Sequence, residues 1–355
     1  MPRISPTALR RAHQISRHAA TLLPAIRDLP SALNELRWIR EHVQQLRREH
    51  PLLSSVQAER QVASLCRRRG RGVPLQYVLG TQPFGNLDMK CRPGVLIPRP
   101  EPEAYTTHLA QLIKYGSLLG KPSPSALRVL DFCTGTGCIA LLLYSLLHRT
   151  IPNLHAQGID ISPKAVQLAR ENARYNASRD LMPSPTQQQS LAFTQADIFA
   201  DTLLEDLARQ DPWDVIVCNP PYISHWGFAH QTARDVRNYE PKLAQVPTVA
   251  YDGGGDHEPE DVFYARLLDI GARLKPRLML FEVGDLKQAL RVVEMALGHK
   301  GLCSTGVGVQ AEVWRDWPDA TPEEDEETSA TICSGSRQVQ IRGSGHGRSV
   351  FIRCR

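Results

Sequence analysis

Val129-Leu130-Asp131-Phe132-Cys133-Thr134-Gly135-Thr136-Gly137-Cys138 is a short apolar run that breaks into a glycine-bearing turn and continues, from Ile139 to Leu147, as an apolar helix. Strand, glycine turn and helix in that order describe the first crossing of an open α/β sheet, with the turn at the carboxyl end of the strand. Gly135 and Gly137 let the backbone approach a ligand there. The next apolar run, Ala156 to Ile159, ends in Asp160, placed where a carboxylate accepts hydrogen bonds from the two hydroxyls of a ribose. Ser162 and Pro163 then open a helix, Lys164 to Tyr175, by N-cap and first-turn chemistry. A third run, Leu191 to Ala196, leads into Asp197-Ile198-Phe199. There a carboxylate can accept from an adenine amino group beside an apolar cover, or Asp197 can instead cap the helix Asp201 to Ala208. A glycine turn followed by an acid about twenty residues on also describes nicotinamide enzymes, so the first two signals give a nucleoside cofactor and the third favours adenine.

The apolar run Trp213 to Cys218 passes into Asn219-Pro220-Pro221-Tyr222, which restricts the chemistry most. Two prolines fix φ and remove two backbone donors, leaving a stiff loop whose carbonyls are free to accept. The Asn219 side-chain oxygen and the Pro220 carbonyl can each take one proton of a planar NH2 group, while Tyr222 offers a ring face to it. The plainer alternative is a rigid strand exit in which Asn219 closes a turn.

The chain has 355 residues, 42% hydrophobic content and a formal net charge of +5, enough for one large domain and a smaller one with a sizeable core. It contains no run of about eighteen apolar residues that would span a membrane. Eight cysteines fall without a Cys-x-x-Cys pair or a His cluster at metal spacing, which points to reduced thiols and no zinc site. Cys133, Cys138 and Cys218 stand at or beside strand ends, where a small buried apolar role suits them. Residues 1–27 carry Arg3, Arg10, Arg11, Arg17 and Arg27 with no acid and resemble a mitochondrial presequence; a basic helical arm of the mature protein is the alternative, with a cytoplasmic location. Arg67, Arg68, Arg69 and Arg71 form either a patch for an RNA-associated partner or a solvated helix end.

Residues 28–90 read as a small helical domain with a hairpin, its helix carrying Leu33, Leu36, Ile39, Val43 and Leu46 at three-to-four spacing. A linker, 91–124, follows, with prolines at 98, 100 and 102 predicting an extended stretch that projects Arg99, Glu101 and Glu103. From 125 to 355 strands are expected near 128, 155, 191, 213, 277, 303 and 348 with helices between most of them, giving one doubly wound seven-stranded α/β sheet. Ser178 to Ser190 and Pro318 to Gly343, the latter with the acidic run Glu323 to Glu327, read as solvated surface insertions.

Gly72-Val73-Pro74-Leu75-Gln76-Tyr77-Val78-Leu79-Gly80, Phe84-Gly85, Leu96-Ile97-Pro98-Arg99-Pro100-Glu101, the Asp131 to Gly137 turn and Asn219-Pro220-Pro221-Tyr222 together resemble the HemK/PrmC family of protein-glutamine methyltransferases. The resemblance runs from about residue 50 onward and includes Tyr239-Glu240-Pro241, Gly253 to Asp256, Phe281-Glu282-Val283-Gly284 and Arg348-Ser349-Val350. It implies a Rossmann-like methyltransferase sheet, S-adenosylmethionine as cofactor and a peptide-chain release factor as partner, methylated on the glutamine of its Gly-Gly-Gln loop. It further implies that Asp131 and Cys133, Thr134, Gly135, Thr136 and Gly137 line the methionine end of the cofactor and Asp160 its ribose. Asp197 and Ile198 then hold the adenine, and Asn219, Pro220, Pro221 and Tyr222 the glutamine, with Asn219 also beside the cofactor. By the same resemblance the small N-terminal domain is expected to help grip the release factor, with the ribosome a candidate neighbour; because the basic residues cluster away from the catalytic motifs, no direct nucleic-acid reading is expected.

Three positions depart from the family pattern: Cys133 where many members have Gly, Pro102 where they have Thr, and Gln288 one place late, which leaves Gln288 without an assigned role. An amide nitrogen is a poor nucleophile, so positioning and polarisation carry the chemistry, no general base is nominated, and Glu282 reads as a satisfied strand-end carboxylate. Two rival readings remain at this level. One is a nucleic-acid adenine-amine methyltransferase, because adenine presents the same flat NH2 group. The other is a non-catalytic binding module on the same fold.

Overall fold

The computed structural model describes residues 4–116, 124–248, 257–303, 309–332 and 337–354. The Gly253 to Asp256 motif lies outside them. The chain divides into two compact units, one of Met1–Gln82, Cys91–Pro93 and Ala233–Glu240, the other of Pro83–Lys90, Gly94–Thr232 and Pro241–Arg355.

The first unit begins with α1 (Pro6–Ile15), α2 (Arg17–Ile26), α3 (Leu29–Glu49), α4 (Ser55–Gly70) and α5 (Leu75–Leu79). Ser5, Ser16, Asp28 and Ser54 each accept a backbone N–H of the turn they start, which satisfies donors the helix cannot reach and contributes about 1 kcal/mol per cap. The core of this unit joins Ala12 of α1, Leu22 and Leu23 of α2, Leu36, Ile39 and Val43 of α3, and Val62 and Leu65 of α4. The apolar spacing read in 33–46 is therefore the buried stripe of α3. Arg69 is not part of a basic surface patch: it is 8% exposed and donates to Glu35 through Nε (2.6 Å) and Nη2 (3.0 Å).

The chain continues through the paired strands β1 (Thr81–Phe84) and β2 (Leu87–Lys90) to α6 (Pro100–Tyr115). The expected extended linker gives way to a helix here. Pro100 sits at its first position and Pro102 in its first turn, where no intrahelical N–H bond is lost, and Glu101 and Glu103 favour the positive end of the helix.

The large unit then alternates β3 (Ala126–Phe132), α7 (Cys138–Leu147), β4 (Asn153–Asp160), α8 (Pro163–Ser178), β5 (Ser190–Gln195), α9 (Asp201–Ala208) and β6 (Val215–Cys218). After it come α10 (His225–His230), α11 (Arg234–Tyr239), which belongs to the first unit, α12 (Val262–Leu274), β7 (Leu278–Glu282), α13 (Leu286–Gly298) and α14 (Lys300–Cys303). The chain closes with β8 (Gln310–Trp317), β9 (Ser329–Ile332), β10 (Arg337–Arg342) and β11 (Ser344–Arg353). The sheet order is β5-β4-β3-β6-β7-β11-β8-β10-β9, parallel from β5 to β7, with β11 antiparallel between β7 and β8.

Side chains alternate across this sheet and build two cores. Val129, Val215, Val217 and Leu280 face α6, α7 and α8, while Leu130, Phe132, Ile216, Cys218 and Phe281 face α12 and α13. Helix α7 is buried along almost its whole length, which explains why its sequence is apolar all round.

The sheet has nine strands rather than the expected seven, because the 318–343 segment, although its acidic run Glu323 to Glu327 is largely exposed as expected, is more than a solvated insertion. It supplies β9 and β10, which bury Ile332, Val339 and Ile341 and extend the sheet beyond β8. The strand expected near 303 is β8 and starts at Gln310. The 178–190 segment is anchored too: Met182 is 3% exposed, and Gln189 Nε2 donates to the carbonyls of His148 (2.8 Å) and Ile151 (3.3 Å). Among the described residues, no helix is long and apolar enough to cross a membrane.

Candidate functional site

Parallel pairing places the carboxyl ends of β3, β4, β5 and β6 side by side, with Phe132 opposite both Ile159 and Cys218, and Asp160 opposite Gln195. The segments that leave those ends carry the sequence motifs. The direction of strand order reverses between β3 and β6, the position where open α/β sheets form a ligand crevice.

A cavity of about 170 Å³ occupies this edge. Its wall includes Cys133, Thr134, Gly135, Thr136, Asp160, Asp197, Ile198, Asn219 and Pro221, so the structure brings most of the sequence-selected residues together. Asp131, Gly137, Pro220 and Tyr222 do not line it. A larger cavity, of about 790 Å³, lies among β8, β10 and β11 and contains none of the motif residues.

Asp131 sits behind the turn at 1% exposure, where its Oδ2 accepts from Thr134 Oγ1 (2.5 Å) and the Ala140 N–H (3.2 Å). Burial pushes its acid up to about 7. Asp131 thereby ties the end of β3 to the turn and to the first turn of α7. Gly137 is the N-cap of α7 at φ 81, and a Cβ there would stand 3.0 Å from both Ala169 and Phe193. Only glycine meets both demands cheaply.

Asp160 accepts the Gly135 N–H on Oδ2 (2.9 Å) and the Ser162 N–H on Oδ1 (2.8 Å). Burial raises its acid, with those two bonds acting in the opposite direction. Asp197 accepts the Phe199 N–H on Oδ1 (2.9 Å) and is not the cap of α9, whose N-cap is Ala200. Asn219 is partly exposed, and among the described residues no hydrogen bond occupies its side-chain amide. Tyr222 turns its hydroxyl inward and donates to Glu282 Oε1 at 2.9 Å.

These residues fit S-adenosylmethionine. At Gly135, on the cavity wall, a Cβ would meet only the Cys133 carbonyl, at 3.9 Å, and would otherwise project into open space that a ligand can use. Each Asp160 oxygen accepts one N–H and keeps a second lone pair for a ribose hydroxyl. Ile198, Leu243 and Phe263 give the wall an apolar side suited to a flat ring, and Phe263 is braced edge-on by Phe199 at 5.0 Å between centroids.

Sequence reasoning missed Phe263, Leu243 and Thr248, which reach the wall from beyond the fourth motif. No periodicity or spacing marks them. It also left Gln288 without a role. Gln288 Oε1 accepts the Gly284 N–H (2.8 Å), and its Nε2 donates to Asp261 Oδ1 (2.8 Å) and to the Tyr222 carbonyl (3.3 Å). Glu282 is the satisfied strand-end carboxylate expected, 3% exposed and bonded to two tyrosine hydroxyls.

A methyltransferase domain model matches residues 123–255. The probable mitochondrial MRF1 N(5)-glutamine methyltransferase of Schizosaccharomyces pombe is 34% identical over 296 residues, which is 81% of this chain and 87% of that protein. The mitochondrial MRF1 N(5)-glutamine methyltransferase of Saccharomyces cerevisiae is 32% identical, covering 69% of this chain and 68% of its own length. The release factor glutamine methyltransferase of Vibrio cholerae is 34% identical, with 72% and 74% covered. With the cavity, the glycine turn and the Asn-Pro-Pro-Tyr exit at one sheet edge, and with relatives alike over most of both chains, this chain belongs to the release factor glutamine methyltransferase family.

Proposed function

We propose that the chain transfers a methyl group from S-adenosylmethionine to the side-chain amide nitrogen of the glutamine in a release factor's Gly-Gly-Gln loop, and that it does so in mitochondria. The observation that carries this reading is the free Asn219 amide on the cavity wall, at the end of β6 and across the switch point from the glycine turn. Its oxygen accepts one proton of the substrate NH2, the Pro220 carbonyl accepts the other, and the Tyr222 ring packs along the amide plane. Both prolines hold these acceptors at fixed positions.

S-adenosylmethionine, when bound, supplies an electrophilic methyl carbon. Asp160 holds its ribose, Asp197 and Ile198 its adenine, and Cys133 to Gly137 run beside its methionine end. The chain's own contribution is to position the amide and raise electron density on its nitrogen, and the proton leaves to water after transfer.

The mitochondrial assignment draws on the acid-free, arginine-bearing first 27 residues and on the two fungal relatives, both named as mitochondrial enzymes. A cut after residue 27 would strip Ala12, Leu22 and Leu23 from the core of the first unit, so this reading keeps α1 and α2 in the mature protein. The first unit grips the release factor, and the reaction takes place close to the ribosome.

Mass spectrometry of the Gly-Gly-Gln peptide of a mitochondrial release factor, incubated with the chain and methyl donor, tests the proposal. One added methyl group on the glutamine is expected. An unmodified glutamine beside a methylated adenine in a nucleic-acid control would replace it with the rival reading.

A further inference from the structure

Behind the Asn-Pro-Pro-Tyr exit lies a buried carboxylate that the transfer reaction does not touch. Glu282, the last residue of β7, accepts the Tyr222 hydroxyl on Oε1 and the Tyr105 hydroxyl of α6 on Oε2, both at 2.9 Å. Tyr105 is 2% exposed, and neither it nor Glu282 lines the cavity. An apolar residue of similar volume would fill this place with no desolvation cost. The carboxylate instead fixes two hydroxyls at once. Tyr222 packs against the core yet stays partly exposed, while Tyr105 and Glu282 are buried, so it is the member of the trio with a surface left for a substrate.

We propose that Glu282 and Tyr105 are positioning residues for Tyr222: α6 clamps one oxygen of the β7 carboxylate, and the other oxygen sets the plane of the Tyr222 ring against the glutamine amide. The inference rests on the glutamine-transfer reading and deepens it. Without the hydroxyl bond, the ring is held by packing and by its backbone alone.

Every other element packed here is committed elsewhere or bears on the same charge. Arg348 of β11 attracts the Glu282 carboxylate but donates to Asp316 (2.8 Å) and to the Gly284 carbonyl (3.3 Å). Glu101 of α6 repels it, Cys138 of α7 lies within electrostatic range, and Tyr264 of α12 donates to the Glu282 backbone carbonyl at 2.7 Å. Ser349 is its partner across β11. Burial raises the Glu282 acid to about 7, with the two tyrosine hydroxyls and Arg348 opposing the rise. A protonated Glu282 has one O–H to donate, so one tyrosine hydroxyl turns from donor to acceptor, both bonds lose their charge assistance and the clamp weakens as pH falls through that value.

The test uses the full chain and a release-factor domain carrying Gly-Gly-Gln. Tyr105→Phe and Tyr222→Phe each delete one oxygen and keep the packing. Each is expected to lower kcat by about tenfold with S-adenosylmethionine affinity unchanged. The double variant should be no slower than Tyr222→Phe, because both act through one carboxylate. In wild type kcat should fall as pH drops through about 7, and Glu282→Gln should flatten that inflection.

A Tyr105→Phe enzyme with wild-type kcat, additive losses in the double variant, or an inflection retained in Glu282→Gln each overturns the inference. Should Glu282→Gln fail to fold, the tyrosine pair decides alone. A wild-type chain that methylates no release factor overturns the glutamine-transfer reading and this inference with it. Wild-type turnover matched by Tyr105→Phe overturns the inference only.

Discussion

Cys133 holds a backbone conformation that glycine adopts at least cost, φ 55, directly after β3 and on the cavity wall. A left-handed L-residue costs about 1–2 kcal/mol, while glycine loses about 0.5–1 kcal/mol of chain entropy. Cys133→Gly should therefore change unfolding free energy by no more than about 1 kcal/mol and preserve cofactor binding. Cys133→Val puts a β-branched residue at the same φ and should lower the melting temperature clearly. Equal stability of the two variants would remove the strain argument. Asn219→Ala takes away the acceptor proposed for the substrate amide and should reduce transfer by roughly 10²-fold or more while calorimetry gives a near wild-type cofactor affinity. Asp160→Ala should reverse that pattern, because the Gly135 and Ser162 N–H groups lose their acceptor and the proposed ribose contact goes with it. Cofactor affinity unchanged in Asp160→Ala would exclude the ribose assignment.

At the scale of elements, the start of α13 does more than end a loop. Asp285 caps it by accepting the Gln288 N–H (2.8 Å), and the Gln288 side chain then joins Gly284, Asp261 and the Tyr222 carbonyl. Sequence position alone gave Gln288 no role, since its partners lie on three separate segments that only folding assembles. Gln288→Leu leaves the Gly284 N–H without its acceptor and frees the Tyr222 carbonyl, while Arg291 still holds Asp261 through Nη2 at 3.0 Å. A loss of about 1–3 kcal/mol in denaturant unfolding is expected, together with slower turnover. Slower turnover without lost stability would mean that the residue touches only the exit loop. Helix α6 carries a related lesson. Prolines at alternate positions read as extended chain, yet at a helix start the same residues cost no hydrogen bond, and the burial of Tyr105, Leu109 and Ile113 decides the outcome.

Over the whole molecule, Asp131 and Glu282 are buried acids raised by desolvation to about 7 from ordinary values of 3.8 and 4.5. Between the ordinary and the raised value the folded state binds more protons than the unfolded chain. Stability contributed by these two groups is therefore full at the acid end of that window and lost as pH rises through about 7. Guanidinium unfolding of wild type and Asp131→Asn should show a shallower decline in the variant as pH rises from 3.8 to about 7. Identical slopes would mean that Asp131 is not protonated in the folded protein. The local motifs determined the order of strand, turn and helix from 125 to 218 and singled out Asp160, Asp197 and Asn219, which the fold brings to one cavity wall, because each uses residues whose backbone or donor pattern has few alternatives. Tertiary structure alone decided that Asp131 braces the turn from behind, that Phe263 and Leu243 close the wall, and that the 318–343 segment adds two strands. Those outcomes depend on burial, and burial is set by which distant apolar surfaces meet across the sheet.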